Sequence, residues 1–148
     1  MINLKLFATE SRNQKTMSLD TMTPLEIATI MNEEDRNVID AVNQELTKIA
    51  KVIEWATESL YKEGRIIYMG AGTSGRLGVL DAVECPPTFS VDYEKVVGLI
   101  AGGEGAFIKA QEGAEDNKQL GRDDLVNLNL SSNDLVIGLA ASGRTPYV

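Results

Sequence analysis

The spacing of hydrophobic residues along the chain changes near residue 64. Ahead of it, Ile39, Val42, Leu46, Ile49, Ile53, Ala56 and Leu60 recur every three or four residues, which places them on one face of an α-helix. Asn32 stands where a helix cap belongs. Glu33, Glu34 and Asp35 then put negative charge into the first turn, where the helix dipole favours it. Lys62 and Gly64 supply the basic residue and the glycine expected at the far end. A helix over 33–62 rises about 1.5 Å per residue and so runs about 45 Å, more than a small core needs, which points to packing against another subunit. A shorter helix is expected just before it, because Thr23-Pro24-Leu25-Glu26 joins a hydroxyl cap, a first-turn proline and the glutamate of a capping box.

Beyond Gly64 three short runs are apolar almost throughout: Arg65-Ile66-Ile67-Tyr68-Met69, Val96-Val97-Gly98-Leu99-Ile100-Ala101 and Leu135-Val136-Ile137-Gly138-Leu139-Ala140. Continuous apolar runs mark strands buried on both faces. Helical patterns lie between and around them, over roughly 75–84, 105–115 and 122–127. Strand alternating with helix implies right-handed crossovers. The expected fold is therefore α/β and three-layered, a parallel sheet flanked by helices and preceded by N-terminal helices. Residues 1–22 are expected as an extended segment, and 23–148 as the N-terminal part of a single domain. Thr145-Pro146 has the form of another helix start, and three strands make a meagre covered sheet, so the chain is expected to be incomplete.

Composition narrows the chemistry. The 148 residues carry 14 basic and 22 acidic side chains for a net charge of -8, which repels polyanions, and no nucleic acid partner is expected. No run approaches the roughly 20 apolar residues that a membrane span requires. The first eight residues lack a secretory pattern, so a cytoplasmic location is expected. A single cysteine, Cys85, rules out an intrachain disulfide and a cysteine-cluster metal site. There is no histidine, so acid and base work near neutral pH falls to carboxylates unless a partner subunit or further chain supplies an imidazole. A small anionic ligand would have to be held by helix N-termini and backbone N–H groups against the overall field.

Ligands of open parallel sheets bind at the carboxyl ends of the strands. The loop after the first strand is Gly70-Ala71-Gly72-Thr73-Ser74-Gly75-Arg76-Leu77-Gly78, and the loop after the third is Ala141-Ser142-Gly143-Arg144-Thr145-Pro146. Both combine glycine with hydroxyls, as an anion site does. Ser74, Ser142 and Thr145 are the expected phosphate ligands, assisted by the backbone around Gly75 and Gly143, and Arg76 and Arg144 are sources of charge. A structural turn is the plainer reading of either loop alone. Gly70, Gly72 and Gly75 also satisfy G-x-G-x-x-G, so a dinucleotide-binding module stays open, although Gly102-Gly103-Glu104 only approximates the acidic strand end that such a site uses.

These loops resemble the sugar-isomerase domain family, in which hydroxyl-rich loops after successive parallel strands bind a sugar phosphate. Further runs are similar to those of the N-acetylmuramic acid 6-phosphate etherases within it: Thr9-Glu10-Ser11-Arg12-Asn13, Glu84-Cys85-Pro86-Pro87-Thr88-Phe89, Gly98-Leu99-Ile100-Ala101-Gly102-Gly103, Glu112-Gly113-Ala114-Glu115-Asp116 and Ala140 to Tyr147. The resemblance implies a lyase of cell-wall amino-sugar recycling or catabolism, and the long helix makes a homodimer the expected assembly. Such an enzyme releases D-lactate from the sugar phosphate, leaves N-acetylglucosamine 6-phosphate, and needs neither metal nor organic cofactor. It assigns the acid role to Glu84 and makes Glu115 the second catalytic carboxylate, the base at C2. Glu10, Arg12 and Asn13 are expected to fold over the site.

The residues themselves support these roles unevenly. Pro86 disfavours helical geometry at Cys85, so Glu84 is expected near a helix C-terminus, whose negative end disfavours an anion as a general acid requires. Acidic residues mostly stay exposed, however, so Glu84 also reads as an ordinary surface glutamate, and Glu112, Glu115 and Asp116 as a solvated helix face. Cys85 reads as a small packed side chain. A non-catalytic sugar-phosphate-binding regulator of the same fold, resembling the glucokinase regulatory protein, is a further alternative.

Overall fold

The computed structural model describes residues 11–148, which divide into two compact units, one ending at Ile53 and one running from Glu54 to Val148. In the first, the stretch expected to be extended contains two 3-10 turns, Gln14–Thr16 and Leu19–Thr21. Asn13 caps the former by accepting the Lys15 N–H at 2.9 Å, and its amide donates to Glu34 at 2.6 Å. Lys15 pairs with the same carboxylate at 2.7 Å. Thr9 and Glu10 lie outside the described residues.

Helix α1, Pro24–Tyr61, follows as one element of 38 residues, about 57 Å long at about 1.5 Å per residue. Its start is the expected capping box: Glu26 Oε2 accepts the Thr23 N–H at 2.7 Å, and Thr23 Oγ1 accepts the Glu26 N–H at 3.3 Å. The two expected helices are thus one. No glycine or proline lies between Leu25 and Tyr61, so nothing stops the helix at Asn32, and the acidic run falls inside it.

Three parallel strands, β1 (Ile66–Gly70), β2 (Val96–Ile100) and β3 (Leu135–Leu139), form a sheet in the order β2-β1-β3. Gly70 is level with Ile100 on one side and Leu139 on the other, so all three loops leave the same edge. β1 is the central strand and holds the buried Ile67 and Met69, whereas the two outer strands are mostly half-buried.

Helix α2, Gly72–Phe89, covers one face, burying Gly75, Gly78, Ala82 and Pro86. A Cβ on Gly75 would stand 2.6 Å from the Gly70 carbonyl and 2.8 Å from Ile100 Cγ1, so this glycine lets helix and sheet approach. On this face burial and a hydrogen bond to Asp81 push the Tyr68 phenol up to about 12. The helix does not end at Glu84. It continues through Pro86 and Pro87 to a left-handed Ser90, whose N–H reaches the Pro86 carbonyl at 2.9 Å. The prolines cost the helix hydrogen bonds to the Ala82 and Val83 carbonyls without breaking it.

The helix expected over 105–115 is also corrected. Helix α3 spans only Gly105–Ile108, Gly113 takes a φ of 75° that a helix cannot continue, and Ala114–Asp116 is a 3-10 turn. Helix α4, Lys118–Asn127, begins four residues ahead of the expected start because Asn117 caps it, accepting the Leu120 N–H at 3.0 Å. Leu120 and Leu125 of α4 pack with Met69, Ala101 and Tyr147. Met69 alternates with Tyr68 along β1, so helices flank the sheet on both faces, the three-layer α/β arrangement expected.

Candidate functional site

The strand order alone brings the two hydroxyl-rich loops together. β1 and β3 are neighbours and end in register, so Ala71 to Ser74 and Ala140 to Thr145 leave the sheet side by side. Ala71 is extended and caps α2, and the first ladder bond runs from the Gly75 N–H to the Ala71 carbonyl at 3.2 Å. The amides of Gly72, Thr73 and Ser74 are therefore the ones without an acceptor inside the helix, and they point where an anion would sit. Ser74 is half-buried in this first turn. Gly75 contributes differently from expectation: its amide belongs to the ladder and its missing side chain serves packing.

In the third loop Ser142 Oγ accepts the Arg144 N–H at 3.3 Å, and the Gly143 N–H closes a turn onto the Ala140 carbonyl at 3.3 Å. Gly143 has a φ of 64° and Thr145 is half-buried, its carbonyl accepting the Val148 N–H at 3.0 Å. Ser142 and Gly143 are exposed.

A cleft of about 140 Å³ opens beside the first loop. Ala71, Gly72 and Arg76 line one wall and the chain from Ala110 to Glu115 lines the other. Glu115 is thus a wall residue of the cleft that begins at the N-terminus of α2. It sits on the 3-10 turn, not on a helix face, and its main-chain carbonyl accepts the Tyr147 N–H at 3.0 Å, which ties it to the third loop. Arg76 spans the cleft wall, with Nε donating to the Phe107 carbonyl and Nη2 to the Ala106 carbonyl, each at 2.8 Å. Its charge is fixed there by the end of α3.

Glu84 does not join this group. It is exposed on α2, twelve residues beyond Gly72, which is about 18 Å along the helix at about 1.5 Å per residue. It is no lining residue of the cleft, and with five helical residues after it the argument from a helix C-terminus falls. Cys85 is half-buried, and burial, with Asp81 nearby, pushes its thiol up, which suits packing rather than attack. Among the described residues no group of three or more histidine, cysteine, aspartate or glutamate side chains is placed to hold a metal ion. Among them, too, no helix is long and apolar enough to cross a membrane.

Two participants escaped the sequence reading. Arg76 was legible only as charge, because its carbonyl partners lie 30 and 31 residues away. Tyr147 drew no role, yet it is 2% exposed and its hydroxyl donates to Asp124 Oδ2 at 2.7 Å. An aromatic residue following Thr145-Pro146 was the only hint.

Over 148 residues the chain is 57% identical to the N-acetylmuramic acid 6-phosphate etherase of Francisella philomiragia, aligning all of this chain with 50% of that protein. It is 60% identical over 145 residues to the enzyme of the same name from Listeria welshimeri, with 98% of this chain and 49% of the relative covered. The N-acetylmuramic acid 6-phosphate etherase 2 of Enterococcus faecalis is 60% identical over 147 residues, with 99% and 50% covered. The chain spans about half the length of the curated relatives it matches. Residues 48–148, which hold the sheet, the cleft and both hydroxyl-rich loops, match the glucokinase regulatory protein N-terminal SIS domain, and the chain belongs to that family.

Proposed function

We propose that the protein cleaves the lactyl ether of N-acetylmuramic acid 6-phosphate, giving N-acetylglucosamine 6-phosphate and D-lactate, a carbon–oxygen lyase reaction of cell-wall amino-sugar recycling. The observation that carries this reading is a carboxylate, Glu115, in a cleft that starts at the N-terminus of α2 and is tied to the neighbouring hydroxyl loop. The phosphate is received by Ser74, Ser142 and Thr145 with amides at the start of α2 and around Gly143. In the open-chain sugar the C2 hydrogen is acidified by the C1 aldehyde. Glu115 removes that proton, the C2–H electron pair forms a C2=C3 double bond, and the C3–O bond breaks as the lactyl oxygen is protonated. Water then adds at C3 and a proton returns to C2, so one water is consumed and no electrons are exchanged. Neither metal nor organic cofactor is required by these steps.

Glu84 is the proposed acid, delivered to the cleft by a second copy of the chain in a homodimer. Its distance along α2 from the cleft supports this, as do the exposed apolar positions Ile39, Val42, Leu46, Ile49 and Ile53 of α1. The proposed location is the cytoplasm, since a phosphate monoester does not cross a bilayer unaided.

The test is lactate release by the intact protein and by its Glu84→Gln and Glu115→Gln variants. Each variant should lose at least about a hundredfold in kcat, the scale of an acid or base role. Mixing the two inactive dimers should restore about a quarter of the wild-type activity, because each mixed dimer then holds one site with both glutamates. No recovery on mixing would place both residues in one chain or refute the pairing. The name of the matching family favours one other reading, a regulator that binds a sugar phosphate without turnover. Binding of the substrate with no lactate formed would establish that reading instead.

A further inference from the structure

Glu115 and the third loop lie in different elements, the 3-10 turn before α4 and the segment after β3. One residue fastens them. The Tyr147 N–H donates to the Glu115 carbonyl at 3.0 Å, its ring packs in the cluster of Met69 and Ala101 beside Ala114, Leu120 and Leu125, and its hydroxyl donates to Asp124 of α4 at 2.7 Å. Its own carbonyl leaves no room for a side chain at Gly121. The ring is thus held at both ends, by core on one side and by a charge-assisted hydrogen bond on the other, so its main chain is fixed too.

We propose that Tyr147 is a positioning residue that makes the third loop and the Glu115 turn one rigid piece, so that gripping a phosphate at Ser142 and Thr145 sets Glu115 in place. The turn has little else to hold it: Gly113 precedes it in left-handed backbone, and the bonds of Asp116 N–H to Gly113 and Asn117 N–H to Ala114 are both 3.3 Å long. Burial and Asp124 raise the phenol above its ordinary range, so the hydroxyl remains a donor wherever a carboxylate base works.

This inference rests on the proposed lyase reading, and its test separates the two. Amide exchange over 114–117 is followed in the intact protein with and without N-acetylglucosamine 6-phosphate, in wild type and in Tyr147→Phe, Asp124→Ala and Asp124→Asn. The sugar phosphate should slow exchange at these amides in wild type and in Asp124→Asn, whose amide oxygen still accepts the phenol hydrogen, but not in Tyr147→Phe or Asp124→Ala. With the muramyl substrate, the latter two should lose about tenfold in kcat with KM within about twofold of wild type, and Asp124→Asn should recover the rate. Equal protection in Tyr147→Phe and wild type overturns the proposal. So does a Tyr147→Phe enzyme that melts earlier yet keeps its kcat, which would show a stabilising role alone. A wild type that releases no lactate refutes the lyase reading, and the exchange measurement then decides the tether by itself.

Discussion

Glu63 closes α1 in left-handed backbone at φ 60°, a region that disfavours every residue with a Cβ and that glycine enters freely. The closing bonds are those of a Schellman motif, Gly64 N–H to the Ser59 carbonyl at 2.8 Å and Glu63 N–H to the Leu60 carbonyl at 3.1 Å. The glycine at the end of this helix was legible in the sequence, but its reason was not. Gly64 follows the left-handed position because the Asn133 carbonyl occupies the space a Cβ would need, and Asn133 belongs to the approach to β3. Two substitutions one residue apart should therefore act in opposite directions. Glu63→Gly should raise stability by about 0.5–1 kcal/mol, and Gly64→Ala should lower it by about 3 kcal/mol through overlap with backbone. Denaturant melts of both variants check this, and a stabilised Gly64→Ala would contradict the packing described. The proposed catalytic pair shows the same limit: Glu84 and Glu115 could be singled out by resemblance, whereas the place of Glu115 in the cleft wall and of Glu84 far along α2 depends on the fold.

The strands were legible almost to the residue, because a run that is apolar on both faces has one stable place in an α/β protein. Helix boundaries were not, since several local residues could serve as cap or breaker and hydrophobic spacing does not choose between them. One expected helix stopped at Ile108 where Lys109 turns extended, the lack of any breaker joined two others, and Asn117 moved the start of α4. One cluster that binds elements together went unread because it unites distant charges. Asp134, with its side chain 2% exposed, accepts from the Arg65 N–H at 2.9 Å, from Arg65 Nε at 3.1 Å and Nη2 at 2.7 Å, and from the Ser131 N–H at 2.8 Å. It joins the entry of β3 to that of β1, while Ser59 of α1 donates to the Asn133 carbonyl at 2.6 Å. The Arg65 guanidinium holds the Asp134 carboxyl well below the usual carboxylate range. A depressed native value means that the unfolded chain takes up the proton first. The stabilisation is then complete at neutral pH and fades as pH falls below about 4, where an unfolded aspartate protonates. Asp134→Ala should cost about 3 kcal/mol at pH 7 by stranding the guanidinium, and the deficit relative to wild type should shrink in acid. A deficit constant from pH 7 to about pH 2.5 would contradict this.

At the scale of the whole molecule, function follows from sheet order. Placing β1 between β2 and β3 in register puts the start of α2 at the centre of the carboxyl edge, beside the cleft that Glu115 lines and next to the loop that follows β3. The α/β class and the location of the ligand loops could be argued from the chain alone. The convergence of Glu115 and Tyr147 could not, since it requires knowing which strands are neighbours. The proposed reaction requires a base in this cleft to take the C2 hydrogen so that the ether can break. Reaction of the muramyl sugar phosphate in deuterated water, with mass analysis of the products, addresses it directly. N-acetylglucosamine 6-phosphate should carry one deuterium at C2 alongside an equal amount of lactate, while lactate released with the original C2 hydrogen retained would contradict proton abstraction there.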